Sequence, residues 1–245
     1  MTIVCTVLTG NKYSINDVNK LYESLKQNTN CDFRFMCYTD HDGDWNDNII
    51  RVPFLEENKK LQWYKVDFFS KFLFYKNKLI EEKESEVIIV MDIDLEIIGN
   101  VDFLFDPFNK DEFWCSHRWW WRWREDRNGQ SPVSGTVYKF INGEFEAEVY
   151  KVFEKDIPYW EEHFIKNKIT VGPVNGEQHF IQEMLGRGGH NLKFFPEKHI
   201  IKWNEDDFYM QTKLEKQYKD WSGNDYLDDE NGFHPDVRII HYAGS

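Results

Sequence analysis

Apolar and polar positions alternate in blocks along the first part of the chain, and each block has the spacing of a strand or a helix. Four continuous apolar runs predict buried strands, at residues 3–8, 33–38, 49–53 and 87–91. Helical spacing follows Ser14, a favoured N-cap residue, and recurs over residues 64–80. Strands that alternate with helices predict a mostly parallel, doubly wound α/β sheet.

The second half of the chain has a less regular pattern. Three more strands are predicted, at residues 113–116, 137–141 and 238–242. Two more helices are predicted, at residues 144–154 and 176–185, with a glycine-rich break at 186–189. Because we find no repeat, linker or low-complexity tract, we expect one domain over residues 1–245. Its more regular half would span about 1–105 and its less regular half about 106–245.

Composition and charge narrow the class of partner. A formal net charge of −13 disfavours nucleic acid, because a phosphate backbone would be repelled. Aromatic residues make up 17% of the chain, which suits a surface for sugars or bases as well as a core. The four cysteines lack CxxC spacing, and we find no signal peptide or membrane span. We therefore expect a protein of the reducing cytoplasm.

Two aspartates come directly after the strongest predicted strand. Side chains two residues apart in an extended chain share a face, so Asp92 and Asp94 would project together and Ile93 would point away. Paired carboxylates repel each other unless a divalent cation lies between them and a polyphosphate. The alternative is that both aspartates begin a solvated turn. The predicted sheet favours a site here, because such sheets bind ligands beyond the carboxyl ends of their strands.

Motifs spread over nearly the whole chain resemble those of one enzyme family. They lie at residues 6–13, 24–27, 70–72, 89–105, 134–135, 176–178 and 241–244. In this order they resemble the GT-A-fold glycosyltransferases, nearest to the glycogenin-like glycosyltransferase family 8. The resemblance implies an α/β, Rossmann-like fold of nucleotide-diphospho-sugar transferases, a single domain with a mixed sheet flanked by helices. It also implies transfer of a hexose from a UDP-sugar to a glycan or glycoprotein acceptor, with retention of anomeric configuration.

The resemblance implies a metal site. In the family, two aspartates hold a manganese or magnesium ion on the donor diphosphate, and these positions match Asp92 and Asp94. Asp92 would also approach the ribose. A late histidine completes the family's metal site and matches His241, whose alternative role is that of a core or capping histidine. The expected cofactor is therefore Mn²⁺ or Mg²⁺, a hard ion suited to carboxylate ligands.

The resemblance also implies the nucleotide and sugar contacts. Backbone groups of Leu8 and Thr9 would bind the base edge and the Tyr13 ring would stack on uracil, unless Tyr13 simply packs the first helix. The positions implied near the donor sugar and diphosphate are Lys71, Ser134, Gly135, Glu177, Gln178 and Gly244. Of these, Gln178, Glu177 and Lys71 are the candidate catalytic residues. Val133 replaces a polar residue of the family, and the sequence given ends at Ser245, before the family's final lysine.

The role of one segment and the class of protein each leave alternatives open. The segment 117–127 has four Trp and four Arg, which would stack on an acceptor glycan, cover the donor, bind single-stranded nucleic acid or fill the core. A phosphatase would need its aspartate motif after the first strand, and a nucleotidyltransferase would need a glycine-rich phosphate loop near the N-terminus. The remaining alternative is a catalytically weak, transferase-like carbohydrate-binding or scaffold protein.

Overall fold

The computed structural model describes residues 1–54, 63–79, 86–117, 133–166, 176–202, 227–228, 232–233 and 236–242. In chain order its strands and α-helices are β1 (Thr2–Leu8), α1 (Ile15–Gln27), β2 (Phe33–Thr39), β3 (Ile49–Val52), α2 (Lys71–Lys76), β4 (Val87–Met91), β5 (Leu95–Ile97), β6 (Glu112–His117), β7 (Val133–Ile141), α3 (Glu144–Lys155), α4 (Ile157–Glu161), α5 (Gly176–Gly188), β8 (Asn191–Phe194), β9 (Ile200–Lys202), β10 (Leu227–Asp228), β11 (Gly232–Phe233) and β12 (Ile239–His241). Shorter 3₁₀-helices span Tyr64–Phe69, Asp102–Leu104 and Glu197–His199, and a π-helix spans Glu162–Lys166.

The main sheet has seven strands in the order β3-β2-β1-β4-β7-β6-β8. Strands β3, β2, β1 and β4 are parallel, as the alternating pattern of the first half predicts. Strand β7 runs antiparallel to both β4 and β6, so the sheet is mixed. The carboxyl ends of β1 and β4 therefore lie side by side, next to the amino-terminal half of β7.

A smaller sheet, in the order β5-β12-β9, lies beyond the carboxyl end of β4. Strand β12 is antiparallel to β5, and His241 is paired with Leu95. Three residues separate β4 from β5, so the last described strand is fixed next to the turn that contains Asp92 and Asp94. The sequence predicted β12, but it did not predict the short strand β5 or the pairing between the two.

The two faces of the main sheet carry separate buried clusters. One cluster is strongly aromatic and packs the 3₁₀-helix Tyr64–Phe69, α3 and α5 onto the sheet. Within it the rings of Phe69 and Phe140 stack with centroids 4.6 Å apart, and Trp63 stacks on Phe153 at 5.9 Å. The other cluster packs α1 and the small sheet. The aromatic cluster bears on the candidate site because it packs the 3₁₀-helix Tyr64–Phe69, which precedes β4 in the chain, against the sheet.

Two helix predictions need correction. The helix predicted over 64–80 is divided, because Ser70 has extended backbone angles (φ −81°, ψ 109°) that end the 3₁₀-helix before α2 begins. The break predicted at residues 186–189 comes later, because α5 continues to Gly188 and Gly189 takes the left-handed conformation (φ 67°).

None of the described helices is long and apolar enough to cross a bilayer. All four cysteines are free thiols.

Candidate active site

Asp92 and Asp94 are held by the backbone of two different neighbours. The Asp92 amide donates to the carbonyl of Thr136 at 3.0 Å, which extends the pairing of β4 with β7 by one residue. The Asp94 carbonyl accepts from the amide of Tyr242 at 2.9 Å, at the end of β12. Ile93 is buried in the apolar cluster between them. The strand ends therefore fix the direction of both carboxylates.

His241 lies beside this carboxylate pair. Its Nε2 atom is 3.3 Å from Asp94 Oδ1 and 3.8 Å from Asp92 Oδ2. One ligand atom from each of the three residues lies within 4.8 Å of the other two. His241 lies far from Asp92 and Asp94 in the sequence, and it reaches them because β12 pairs with β5. The structure thus brings together the three residues whose motifs implied a metal site.

Tyr13 contacts the metal-site group through its hydroxyl. The Tyr13 OH donates to Asp94 Oδ2 at 2.9 Å, and burial together with the Asp94 carboxylate raises the pKa of Tyr13. The phenol therefore stays a donor at neutral pH. Tyr13 follows the turn after β1, where Gly10 has φ 65°, a conformation that favours glycine. Leu8 is buried at the end of β1 and Thr9 is half-buried beside it.

Lys65 is a site residue that the sequence reasoning missed. Its side chain is 14% exposed, and its ammonium donates to Asp92 Oδ1 and, at 2.7 Å, to the carbonyl of Gly135. Burial acts to lower the pKa of Lys65, but the carboxylates of Asp92 and Glu177 outweigh burial and raise it. Lys65 therefore stays charged, and it neutralises part of the negative charge that gathers at the carboxyl end of β4.

Glu177 and Gln178, in the first turn of α5, lie close to Lys65 and Gly135. Glu177 Oε2 accepts from the backbone amide of Lys65 at 3.2 Å. Burial raises the pKa of Glu177 to about 7, against the opposing effect of the Lys65 charge. A Cβ atom placed on Gly135 would lie 2.8 Å from Gln178 Nε2 and 3.3 Å from Lys65 Nζ. The missing side chain of Gly135 is therefore what lets these two polar groups approach β7.

Two other predicted positions are buried in β7. Ser134 has its hydroxyl 2.7 Å from the hydroxyl of Thr136, and Val133 is part of the aromatic cluster. Lys71 is the first residue of α2, but its side chain lies outside the described residues. Gly244 and residues 118–127 of the Trp/Arg segment also lie outside them. His117 is described and packs edge-on against Phe194.

The charges and ligand types of this group fit a hard divalent cation. Burial acts to raise the pKa of Asp94, but hydrogen bonds and charge from His241 and the Tyr13 bond outweigh it and lower the pKa. Asp94 is therefore an anion at neutral pH. Two carboxylates and an imidazole make a donor set that accepts Mn²⁺ or Mg²⁺. Their convergence on one point gives such an ion three protein ligands.

Three solved structures that are similar to this chain are of glycosyltransferases. The galactosyltransferase LgtC, in complex with donor and acceptor sugar analogues, matches with a TM-score of 0.60 at 14% identity over 100% of this chain and 87% of its own. An active-site mutant of LgtC matches with a TM-score of 0.56 at 13% identity, over 100% and 88%. GlyE of Streptococcus pneumoniae TIGR4 matches with a TM-score of 0.59 at 10% identity, over 98% of this chain and 54% of GlyE. The chain has a GT-A glycosyltransferase fold.

The GT-A fold agrees with the resemblance that the sequence motifs carry. LgtC and GlyE belong to glycosyltransferase family 8, and the predicted mixed α/β sheet is confirmed. No protein-family model and no curated protein sequence matches the chain. At 14% identity or less, the likeness to solved structures establishes the fold, and the activity has to be argued from the site.

A signal for Lys65 was present in the sequence but was not used. It is the one basic residue in the run Trp63–Phe69, whose other members are aromatic, aliphatic or Asp67. In the structure Asp67 is fully buried and accepts from the Tyr38 hydroxyl at 2.7 Å. A lysine within so apolar a run needs a buried acidic partner, and Asp92, directly after the predicted strand 87–91, is one candidate.

Proposed function

We propose that this protein is a metal-dependent glycosyltransferase. It moves a hexose from a UDP-sugar to a glycan or protein acceptor, with retention of anomeric configuration. The observation that carries the proposal is the convergence of Asp92, Asp94 and His241, with Lys65 beside them, at the strand ends of a GT-A fold. Ligands of α/β folds bind at this edge of the sheet.

Asp92, Asp94 and His241 would hold a Mn²⁺ or Mg²⁺ ion, which supplies Lewis-acid stabilisation of negative charge on a diphosphate. Lys65 supplies a second, permanent positive charge from the opposite side of Asp92. Its ammonium is held in place by Asp92 and the Gly135 carbonyl, so it needs no reorganisation when charge develops on the leaving group. We propose this stabilising role for Lys65 in preference to Lys71, the candidate catalytic lysine of the sequence motif.

The base and the sugar would occupy opposite sides of the aspartates. The turn of Leu8, Thr9 and Tyr13 lies at the end of β1 and is in reach of a uracil base, while the Tyr13 hydroxyl keeps Asp94 oriented. On the other side, Gln178 and Glu177 lie next to Gly135 and Lys65. We assign them to the donor sugar and its anomeric carbon.

The known ligands of one similar protein support the class of substrate. LgtC was solved with donor and acceptor sugar analogues, and its mutant structure shows that LgtC has a defined active site.

By analogy, the nucleotide-binding half of this chain is about 1–105 and the acceptor half about 106–245. We keep the cytoplasm as the proposed location.

The test is turnover of a panel of nucleotide sugars with and without Mn²⁺, for wild type, Asp94→Ala and Asp47→Ala. Asp47 is an exposed aspartate far along the chain from the site and serves as the matched control. We expect Mn²⁺-dependent hydrolysis or transfer with one UDP-sugar, lost in Asp94→Ala and retained in Asp47→Ala. Binding of a glycan without turnover of any nucleotide sugar would instead support the carbohydrate-binding alternative.

A further inference from the structure

A short chain of buried hydroxyl groups lies behind His241, on the side away from the carboxylates. Thr136 Oγ1 is 3.0 Å from His241 Nδ1, and Ser134 Oγ is 2.7 Å from Thr136 Oγ1. All three side chains are buried. Thr136 and Ser134 are two residues apart in β7, so their side chains share one face of the strand.

Thr136 contacts two of the three candidate metal ligands. Its hydroxyl meets the ring of His241, and its carbonyl accepts the amide of Asp92 at 3.0 Å. One residue of β7 therefore sets the position of the first ligand in the sequence and the orientation of the last.

The effect of the Thr136 contact on His241 depends on which nitrogen of the imidazole carries the proton. A neutral imidazole donates from one nitrogen and accepts at the other, and Nε2 is the nitrogen that faces Asp94 and Asp92. If Nε2 is to bind a cation, the proton must be on Nδ1. Thr136 Oγ1 can accept this proton while its own hydrogen is donated to Ser134 Oγ. Without the hydroxyl, a buried N–H would be left without its hydrogen-bond partner, which is unfavourable.

We infer that Thr136 is a positioning residue for the metal site, which holds the ring of His241 with Nε2 directed at the carboxylate pair, assisted by Ser134. The inference rests on the proposed function and adds to it the residue that prepares His241 as a ligand. Metal-binding histidines commonly donate their second N–H to a carboxylate or a carbonyl. Here a pair of hydroxyls on β7 takes that place.

The test compares Thr136→Val, which removes the hydroxyl at nearly constant shape, with Thr136→Ser, which keeps it. The matched control is Thr6→Val, because Thr6 is also fully buried and donates its hydroxyl to a backbone carbonyl, that of Met91, at 2.8 Å. Mn²⁺ affinity is measured from the electron paramagnetic resonance signal of free Mn²⁺. We expect Thr136→Val to weaken Mn²⁺ binding roughly 10- to 100-fold. Thr136→Ser should restore most of the affinity, and Thr6→Val should leave it unchanged.

A second measurement needs no Thr136 variant and so does not depend on how well one folds. The ring nitrogens of ¹⁵N-labelled wild type are observed by NMR with Mg²⁺ bound, and the His241 signals are assigned by their loss in His241→Asn. We expect the proton on Nδ1, with slow exchange into solvent because it is bound to a buried hydroxyl. A proton on Nε2, or rapid exchange at Nδ1, would overturn the inference.

The outcomes separate this inference from the proposed function. If wild type binds Mn²⁺ and Thr136→Val binds it equally well, the role of Thr136 is wrong and the metal site stands. An equal loss of affinity in Thr136→Val and Thr6→Val would also overturn it, because any buried hydroxyl would then matter as much. If wild type binds no Mn²⁺, the proposed metal site fails, and the role of Thr136 fails with it.

Discussion

The two sides of the candidate site are built by different means. The acidic side, Asp92, Asp94 and His241, is fixed by backbone hydrogen bonds between strand ends. The packed side, Lys65, Gly135 and the start of α5, is fixed by close contacts with the aromatic cluster and by one missing side chain. The pairing of strands in the sheet therefore sets the direction of the candidate metal ligands. Packing of the core sets the position of the Lys65 ammonium and the Gln178 amide.

This difference predicts that substitutions on the two sides of the candidate site have different effects on metal binding and turnover. Changes on the acidic side should abolish metal binding, because its ligands are lost. Changes on the packed side should leave the metal bound and impair turnover or folding. Three substitutions test this separation, beginning with the largest expected effect.

Lys65→Met should reduce turnover of the donor about 100-fold, because a preorganised positive charge beside the diphosphate is removed. Mn²⁺ affinity should stay the same or increase, since Asp92 loses a competing cation. Kinetics and Mn²⁺ titration on the same preparations measure the two effects. Lys110→Met, at an exposed lysine, is the control. A larger loss in Lys71→Met than in Lys65→Met would restore the assignment suggested by the sequence motif.

Gly176→Ala should destabilise the protein by about 1–3 kcal/mol, because the new methyl would overlap the ring of Trp63, which is fully buried. Gly186→Ala in the same helix has no atom within 4 Å of its new methyl and should stabilise the protein by roughly 0.5–1 kcal/mol. Urea unfolding measures both. Equal effects at the two glycines would mean that α5 is not seated on Trp63.

Gly135→Ala should lower turnover roughly 10-fold, about 1.4 kcal/mol in transition-state stabilisation, because the methyl displaces the Gln178 amide. Folding stability and Mn²⁺ affinity should change little, since the atoms displaced are the ends of side chains. Gly99→Ala is the matched control, because its methyl would lie 2.9 Å from Cδ of another long side chain, that of Arg238, outside the site. If both alanines leave turnover unchanged, Gln178 has no role at the donor sugar.

The same contrast explains how much the sequence could predict. The strands of the first half follow from local signals, because short apolar runs encode them. The GT-A fold and the convergence of Asp92, Asp94 and His241 were predicted through the resemblance of the motifs to a family. Lys65 was missed, because its role depends on the 3₁₀-helix Tyr64–Phe69 and on contacts with Asp92 and Gly135, which are distant in sequence. Thr136 was missed for a similar reason, since nothing near it in sequence indicates His241. Contacts between residues distant in sequence were predictable here only where a family motif marked both.

The most direct test of the account is Mn²⁺ binding to the wild type and to the doubly substituted Asp92→Asn/Asp94→Asn protein, with and without UDP. Asparagine keeps the shape of each side chain and removes its charge, so folding should be retained. We predict one Mn²⁺ bound per wild-type chain, bound more tightly when UDP is present, and no specific binding in the double variant. Wild-type affinity in the double variant, or no effect of UDP on the wild type, would contradict a metal site that holds a nucleotide diphosphate.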